Sequence, residues 1–435
     1  MQSPLWCVEA LRGCRAVAVY RDRVVYSEQV VQVAYREGSV EINSLSASVG
    51  GVRVNRGGCW YIASQQGVAV DFEKLERRVL SIAEAGECGE FAEAELFRGV
   101  VELGKGLPRE EEVVNLLKEL CQEVKASYGV KCEAIAVLRD ATRALARESG
   151  EETRERRRIA ELELGLLGAT PYGHQLFASA YHATISWSEQ HVLKAIDSTF
   201  REAASRIGKG IAVKSLKPYE VGRVTLVLDG IASAALIHEI SHLLNPLYIG
   251  SSRLLGQRLF PESFELYDDP LAPEAPSMRF FDDEGVVTKR RALVEEGVVR
   301  DLHHTRTTSR AFSSEPGSAY GLFTKPMPFH TTLVLKPGDW GDREILEETK
   351  RGFLIEGVAM ATLEEGYIRI VPQYSFAIEN GEIREAVRVR EIKIPFAMMK
   401  TVSAVSRSQR MRTSIEKNWV VAEVAPRIRV EGYVS

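Results

Sequence analysis

Apolar and polar positions change period several times along the chain, and each change marks an element. RAVAVYRDRVVYSEQVVQVAYREGSVEI, residues 15–42, is rich in Val and Tyr with partial alternation, as in a half-buried strand. GGVRVNRGGCWYIAS adds glycine punctuation and another strand. The period then lengthens. Phe72, Leu75, Val79 and Ile82 form one stripe and predict a helix over about Asp71–Ala85. A second helix is expected from about Glu110 to Ser127, after Pro108, and a third near Glu189–Ile207. CEAIAVLRD is strand-like. The charged run RESGEETRERRRIAELE predicts a solvated face, as an exposed helix or as polar strands with turns.

GKGIAVKSLKPYEVG reads as a connector. GRVTLVLD after it predicts a strand, and IASAALIHEISHLLN a helix begun by Asp229 and Gly230 and ended by Pro246. The remainder is mostly β in character: TTLVLKPGD, GYIRIVPQYSFAIENGEIREAVRV and PRIRVEGYVS. Asn380-Gly381 between apolar runs signals a hairpin.

The 435 residues suffice for two or three domains, and 45% apolar with 27% charged residues is ordinary for a soluble globular protein. A net charge of −4 gives no reason to expect nucleic acid or an anionic membrane as partner. No apolar run has transmembrane length. The start, MQSPLWCVEALRGC, lacks the basic and apolar regions of a signal peptide, so a cytoplasmic location is expected. The six cysteines contain no CxxC pair and read as free thiols. All precede residue 133, which removes cysteine from the candidate ligands of the C-terminal part. With no GxGxxG and no P-loop, nucleotide binding lacks support.

The chemistry concentrates in HEISH, His238 to His242. Positions i and i+4 of a helix lie on one face, so both imidazoles can meet one metal ion. Glu239, rotated around the axis, can take a proton from the attacking water without binding the metal. The competing reading is a pair of core histidines satisfied by backbone carbonyls. A catalytic zinc needs a third protein ligand. Glu262, 20 residues beyond His242, Glu265, His303, His304 and His330 are candidates, and the residues alone do not choose among them.

LVLDGIASAALIHEISHLL resembles the strand and His–Glu helix of the TldD/PmbA family of metallopeptidases and their partner subunits. FDDEGVVTKRRALVEEGVVRDLHHTRTTSRAF, PMPFHTTLVLKPGD, FAIENGEIREAVR and APRIRVEGYVS resemble further segments of that family in the same order, as does VEINSLSASVGGVRVNRGGCWYIAS near the start. The resemblance implies an α+β (mixed α/β) fold, with an N-terminal α/β domain over 1–210 and a β-rich C-terminal domain over 211–435 carrying the HExxH helix. It implies Zn2+ held by His238 and His242, with Glu239 as general base. It also implies a peptide substrate and a dimer, either of like chains or with a paralogous subunit. Two features depart from the family pattern. The spacing is one residue shorter than the usual HExxxH, and RTSIEKNWVVAEVAP holds no cysteine where the family has a third ligand. His330, within PMPFHTT, and Glu416, near the missing cysteine, join the candidates. The resulting expectation is a zinc metallopeptidase acting on unfolded or small peptides. The alternative is a non-catalytic partner or scaffold subunit of a TldD/TldE-like complex.

Overall fold

The computed structural model describes residues 20–82, 88–169, 175–188, 204, 207, 213–217 and 220–435. The expected strand start at 15–19 and, apart from Ala204 and Ile207, the expected third helix lie outside them.

Among the described residues, two large sheets organise the chain. In the first, β1 (Tyr20–Arg36), β2 (Ser39–Arg56) and β3 (Cys59–Gln66) form an antiparallel meander covered in part by α1 (Phe72–Leu80). The Asp71 side chain caps α1 by accepting from the Lys74 amide at 2.9 Å. β1 also pairs with β5 (Lys131–Arg147), and β5 with β6 (Glu152–Ala169). On its other edge β6 takes β7 (Gln175–Thr184) antiparallel and β4 (Gly99–Leu103) parallel. α2 (Glu110–Tyr128) buries Val113, Leu116, Leu117, Leu120, Cys121 and Val124, one helical stripe. That stripe packs on the alternate residues Cys132, Ala134, Ala136 and Leu138 of β5.

Two expectations are corrected here. The charged run ends β5 at Arg147, turns and opens β6, so of the two expected forms the strands with a turn are the one found, and a strand sends alternate side chains to opposite faces. Glu152, Arg154 and Arg156 are exposed, whereas Thr153 and Glu155 are buried, so only half the run forms a solvated face. The cysteines do pair: Cys59 with Cys88, and Cys121 with Cys132, at Cα separations of 5.0 and 5.2 Å. Helix-on-sheet packing brings Cys121 to Cys132, and the Cys88 amide donates to the Gly57 carbonyl at 2.9 Å beside Cys59, neither of which separation along the chain reveals. Cys7 and Cys14 lie outside the described residues.

The second sheet places the HEISH motif. Its strand Gly222–Leu228 lies between Trp419–Val434, antiparallel, and Arg351–Glu364, parallel. α3 (Gly230–Leu243) follows directly. Asp229 Oδ1 caps it by accepting from the Ala232 amide at 2.7 Å, and burial pushes this carboxyl up to about 6. Gly230 is required by proximity, since a Cβ there would lie 2.9 Å from Arg410 Cβ and 3.0 Å from the Ala425 carbonyl oxygen. Leu226, Leu228, Leu333, Leu335, Phe353, Ile355, Ile428 and Val430 join Leu236, Ile237 and Ile240 in one core. α3 is buried around nearly its whole circumference, so its polar residues need partners inside the protein. The expected hairpin forms at Asn380 and Gly381, both at positive φ (52° and 79°), between Tyr367–Glu379 and Glu382–Arg388.

The two sheets meet through the DDEG segment. Arg53 Nη1 donates to the Asp283 carbonyl at 2.8 Å, and Arg143 pairs with both Asp283 and Glu155. Arg143 Nη2 also donates to the Phe281 carbonyl at 2.7 Å, and Arg157 Nη1 to the Pro276 carbonyl at 2.6 Å. Burial opposes ionisation of Asp283, but Arg279 and Arg143 hold its carboxyl below the usual value. Among the described residues, no helix is long and apolar enough to cross a membrane.

Candidate metal centre

α3 presents His238, Glu239 and His242 to one cleft of about 620 Å³. The i, i+4 spacing sets the two imidazoles side by side, with ring centroids 5.1 Å apart. Phe329 packs on both, 5.7 Å from His238 and 4.9 Å from His242. Leu247, Tyr248, Ala361, Leu363 and Ile415 give the cleft apolar walls.

The opposite wall comes from the end of the chain. Ala404–Glu416 and Trp419–Val434 form a hairpin closed by Lys417 and Asn418, both at positive φ (47° and 73°). The first strand slips register between Val405 and Gln409, a bulge-like offset. Beyond it the alternation carries Arg412, Ser414 and Glu416 to the cleft, and Arg412 stands opposite Glu423 on the partner strand.

Glu423 is fully buried and joins the hairpin to the helix. Its Oε1 lies 2.7 Å from His238 Nδ1, 3.2 Å from His330 Nε2 and 3.2 Å from Ser414 Oγ, while Arg412 Nη1 donates to Oε2 at 2.9 Å. Burial opposes the charge, but Arg412, His238 and His330 hold this carboxyl well below its usual value. Facing a carboxylate, His238 carries its proton on Nδ1, which leaves the Nε2 lone pair for the cleft. The polar path continues inward: His330 Nδ1 lies 2.7 Å from Ser241 Oγ, and Ser241 Oγ lies 3.0 Å from His303 Nε2. His303 Nδ1 faces Asp268 Oδ2 at 3.5 Å, and Asp268 Oδ1 accepts from the Thr331 and Thr332 amides at 2.9 and 3.0 Å.

Burial, aided by His238 and His330, lowers His242 to about 3. Burial likewise lowers His330 to about 4, against the Glu423 contact. It raises Glu239 above the ordinary carboxyl value. The cleft thus holds neutral His242 beside a carboxyl with increased proton affinity.

The third-ligand candidates separate clearly. Glu416 lies at the cleft, its Oε2 4.0 Å from His238 Nε2. One donor atom from each of His238, His242 and Glu416 falls within 4.8 Å of the others, and the same holds for His238, His330 and Glu423. His330 and His303 lie in the buried path behind the cleft. His304 sits on another turn, with Nδ1 3.3 Å from Thr308 Oγ1. Glu262 is exposed, and Glu265 pairs with Lys336 at 2.8 Å; neither lines the cleft. Two imidazoles and a carboxylate at a cleft wall are a donor set that suits zinc with a position left for water. The residues that sequence reasoning did not single out are Glu423, Arg412 and Ser241. A signal for Glu423 existed: it is the one charged residue in the apolar run VVAEVA.

Residues 221–434 match the family model of the PmbA/TldA metallopeptidase C-terminal domain. A metalloprotease of Methanocaldococcus jannaschii is 27% identical over 203 residues, 44% of this chain and 45% of that protein. A metalloprotease of Methanothermobacter thermautotrophicus is 30% identical over 200 residues, 43% of each. A zinc metalloprotease TldD homolog of Saccharolobus solfataricus is 27% identical over 202 residues, 42% of this chain and 44% of the relative. The matched stretch therefore spans less than half the length of these curated relatives. The fold likeness runs through nearly the whole chain. A proposed modulator of DNA gyrase from Thermotoga maritima superposes over 96% of both chains, with TM-score 0.77 and 18% identity. TldE from Thermococcus kodakarensis does so over 95% of this chain and 96% of its own, with TM-score 0.71 and 14% identity. Residues 221–434 thus form a domain of the PmbA/TldA metallopeptidase type, and the fold of the chain is like that of these solved structures throughout.

Proposed function

We propose that the chain is a zinc-dependent peptidase that hydrolyses unfolded or small peptides in the cleft between α3 and the C-terminal hairpin. The observation that carries this reading is the convergence of His238, His242 and Glu239 on one cleft, with Glu423 holding His238 from behind. His238 and His242 would hold the metal. When bound, zinc acidifies a water and polarises the peptide carbonyl. Burial has raised the proton affinity of Glu239, as a general base needs: it takes the proton of the attacking water and returns it to the leaving amine. Neutral His242 keeps a free lone pair at neutral pH. The apolar walls receive side chains of an extended peptide and reduce the water around the scissile bond. We place the working unit in a dimer, formed with a second copy or a paralogous TldD/PmbA subunit; the fold likeness to a protein named TldE supports a paired subunit.

The test measures zinc content and peptide hydrolysis together. Wild type is expected to hold stoichiometric zinc and to cut unstructured peptides. His238→Ala with His242→Ala should lose the zinc, and Glu239→Gln should keep it but lose hydrolysis by at least about 100-fold. A Glu239→Gln chain as fast as wild type would overturn the assignment. Zinc without hydrolysis, restored only by a paralogous subunit, would establish the partner-subunit reading instead.

A further inference from the structure

We propose that Glu416 is the third protein ligand of this centre, so that the metal is held by two imidazoles and a carboxylate without sulfur. The inference rests on the metallopeptidase reading above and deepens it.

Position is the first argument. Glu416 is the last residue of its strand, paired with Trp419 across a two-residue turn whose residues both have positive φ. Such a turn fixes register, and register fixes which face a side chain takes. Arg412, Ser414 and Glu416 therefore share the face that meets α3, and Glu416 stands next to the turn.

Partnering is the second. Arg412 Nη1 donates to Glu423 Oε2 at 2.9 Å. The ion-pair contact of Glu416 among the described residues is with His238, at 4.0 Å from Nε2. This is the nitrogen that the Glu423 contact leaves with a free lone pair. Glu416 is only half-buried, so a bound metal keeps a route to water and substrate.

The competing set, His238, His330 and Glu423, fails on both counts. His330 and Glu423 are 0% exposed. The donor atoms of that set already satisfy one another, and the remaining nitrogen of His330 is taken by Ser241. A metal there would break several buried hydrogen bonds and have no position open to water. An outward His–His–carboxylate set with an inward carboxylate orienting one imidazole matches the division of labour of catalytic zinc sites.

The experiment uses the full-length chain, stripped of metal and titrated with Zn2+ against a chelating dye, then with Co2+ for its absorption spectrum. Glu416→Gln should weaken zinc binding by more than the roughly 10–100-fold typical of losing an outer partner. Glu416→His should recover most of the affinity. The Co2+ form of wild type should show visible ligand-field bands and no near-ultraviolet thiolate band, and Glu416→Gln should change those bands. Metal-free wild type and Glu416→Gln should unfold alike, which separates a ligand role from a folding defect. If Glu416→Gln binds Zn2+ as tightly as wild type with the same Co2+ spectrum, Glu416 is not a ligand, while the metallopeptidase reading stands. If wild type takes up neither ion, the reading beneath the proposal falls with it.

Discussion

His238 Nδ1 lies 2.7 Å from Glu423 Oε1, and a residue 185 positions away thereby sets the direction of the first imidazole of HEISH. Glu423→Gln keeps the shape and removes the charge. It is expected to weaken zinc binding roughly 10–100-fold and to destabilise the fold by about 1–3 kcal/mol at neutral pH, because Arg412 loses its charged partner. Folding lowers the proton affinity of Glu423, so its stabilisation is present above the ordinary carboxyl value of 4.5 and is lost as pH falls below it. Urea unfolding of both chains across that range should show the stability gap closing on acidification. A gap that stays constant with pH would remove the electrostatic account.

Acid should weaken the metal-free protein earlier, through His330. Folding lowers its value from 6.5 to about 4, so between these limits the unfolded chain binds the extra proton. Stability should therefore rise with pH through this window and fall by about 3 kcal/mol on descending it. His242, lowered to about 3, acts in the same direction and extends the loss further down. Denaturant midpoints from pH 7 to pH 4 measure this. In His330→Gln the slope should flatten, and an unchanged slope would assign it to other groups.

The join between the sheets depends on buried charge. Arg143 faces both Glu155 and Asp283, and all three are buried. Arg143→Ala leaves two carboxylates with fewer partners and is expected to lower stability by about 3–5 kcal/mol. Zinc affinity per folded chain should not change, because this cluster does not line the metal cleft. Chemical denaturation paired with metal titration separates the effects, and a loss below about 1 kcal/mol would show the join to be held by other contacts.

Reduction should act on the first sheet. The Cys121–Cys132 bond closes a separation of 11 residues and Cys59–Cys88 one of 29. Each is expected to contribute roughly 3 kcal/mol by restricting the unfolded chain. Thiol titration of the native and the unfolded protein, with unfolding curves with and without reductant, checks this. Free thiols at all four positions in freshly purified protein would refute the pairing.

Much of the helix was legible in the chain. Asp229 as cap, the continuous apolar run and Pro246 beyond its end bound α3 through local chemistry, and the i, i+4 histidines needed nothing further. α1 followed from its stripe of period 3.6 and α2 from the start signal after Pro108, with ends near Leu80 and Tyr128. The opposite wall of the site was reached only through the family resemblance, which put Glu416 among the candidates and left out Glu423. These residues stand 174 and 181 positions beyond His242, and only the pairing of the last two strands brings them to His238. Tertiary contacts of that range leave no periodic trace. The cysteines misled for the same reason: Cys121 and Cys132 sit on a helix and a strand whose packing decides their distance. Glu155 was hidden by its neighbours, since a strand can present three charged residues in a row and bury one.

The slip between Val405 and Gln409 also acts as a frame setter. Downstream of it, one residue more or fewer would turn Arg412, Ser414 and Glu416 together to the far face of the hairpin. Loss of this wall is thus open to a single small insertion or deletion far from HEISH, with every motif residue still in place. Among related chains, an intact HEISH is then an incomplete criterion for an active centre, and the residue count from the slip to the turn at Lys417 is the second number to read.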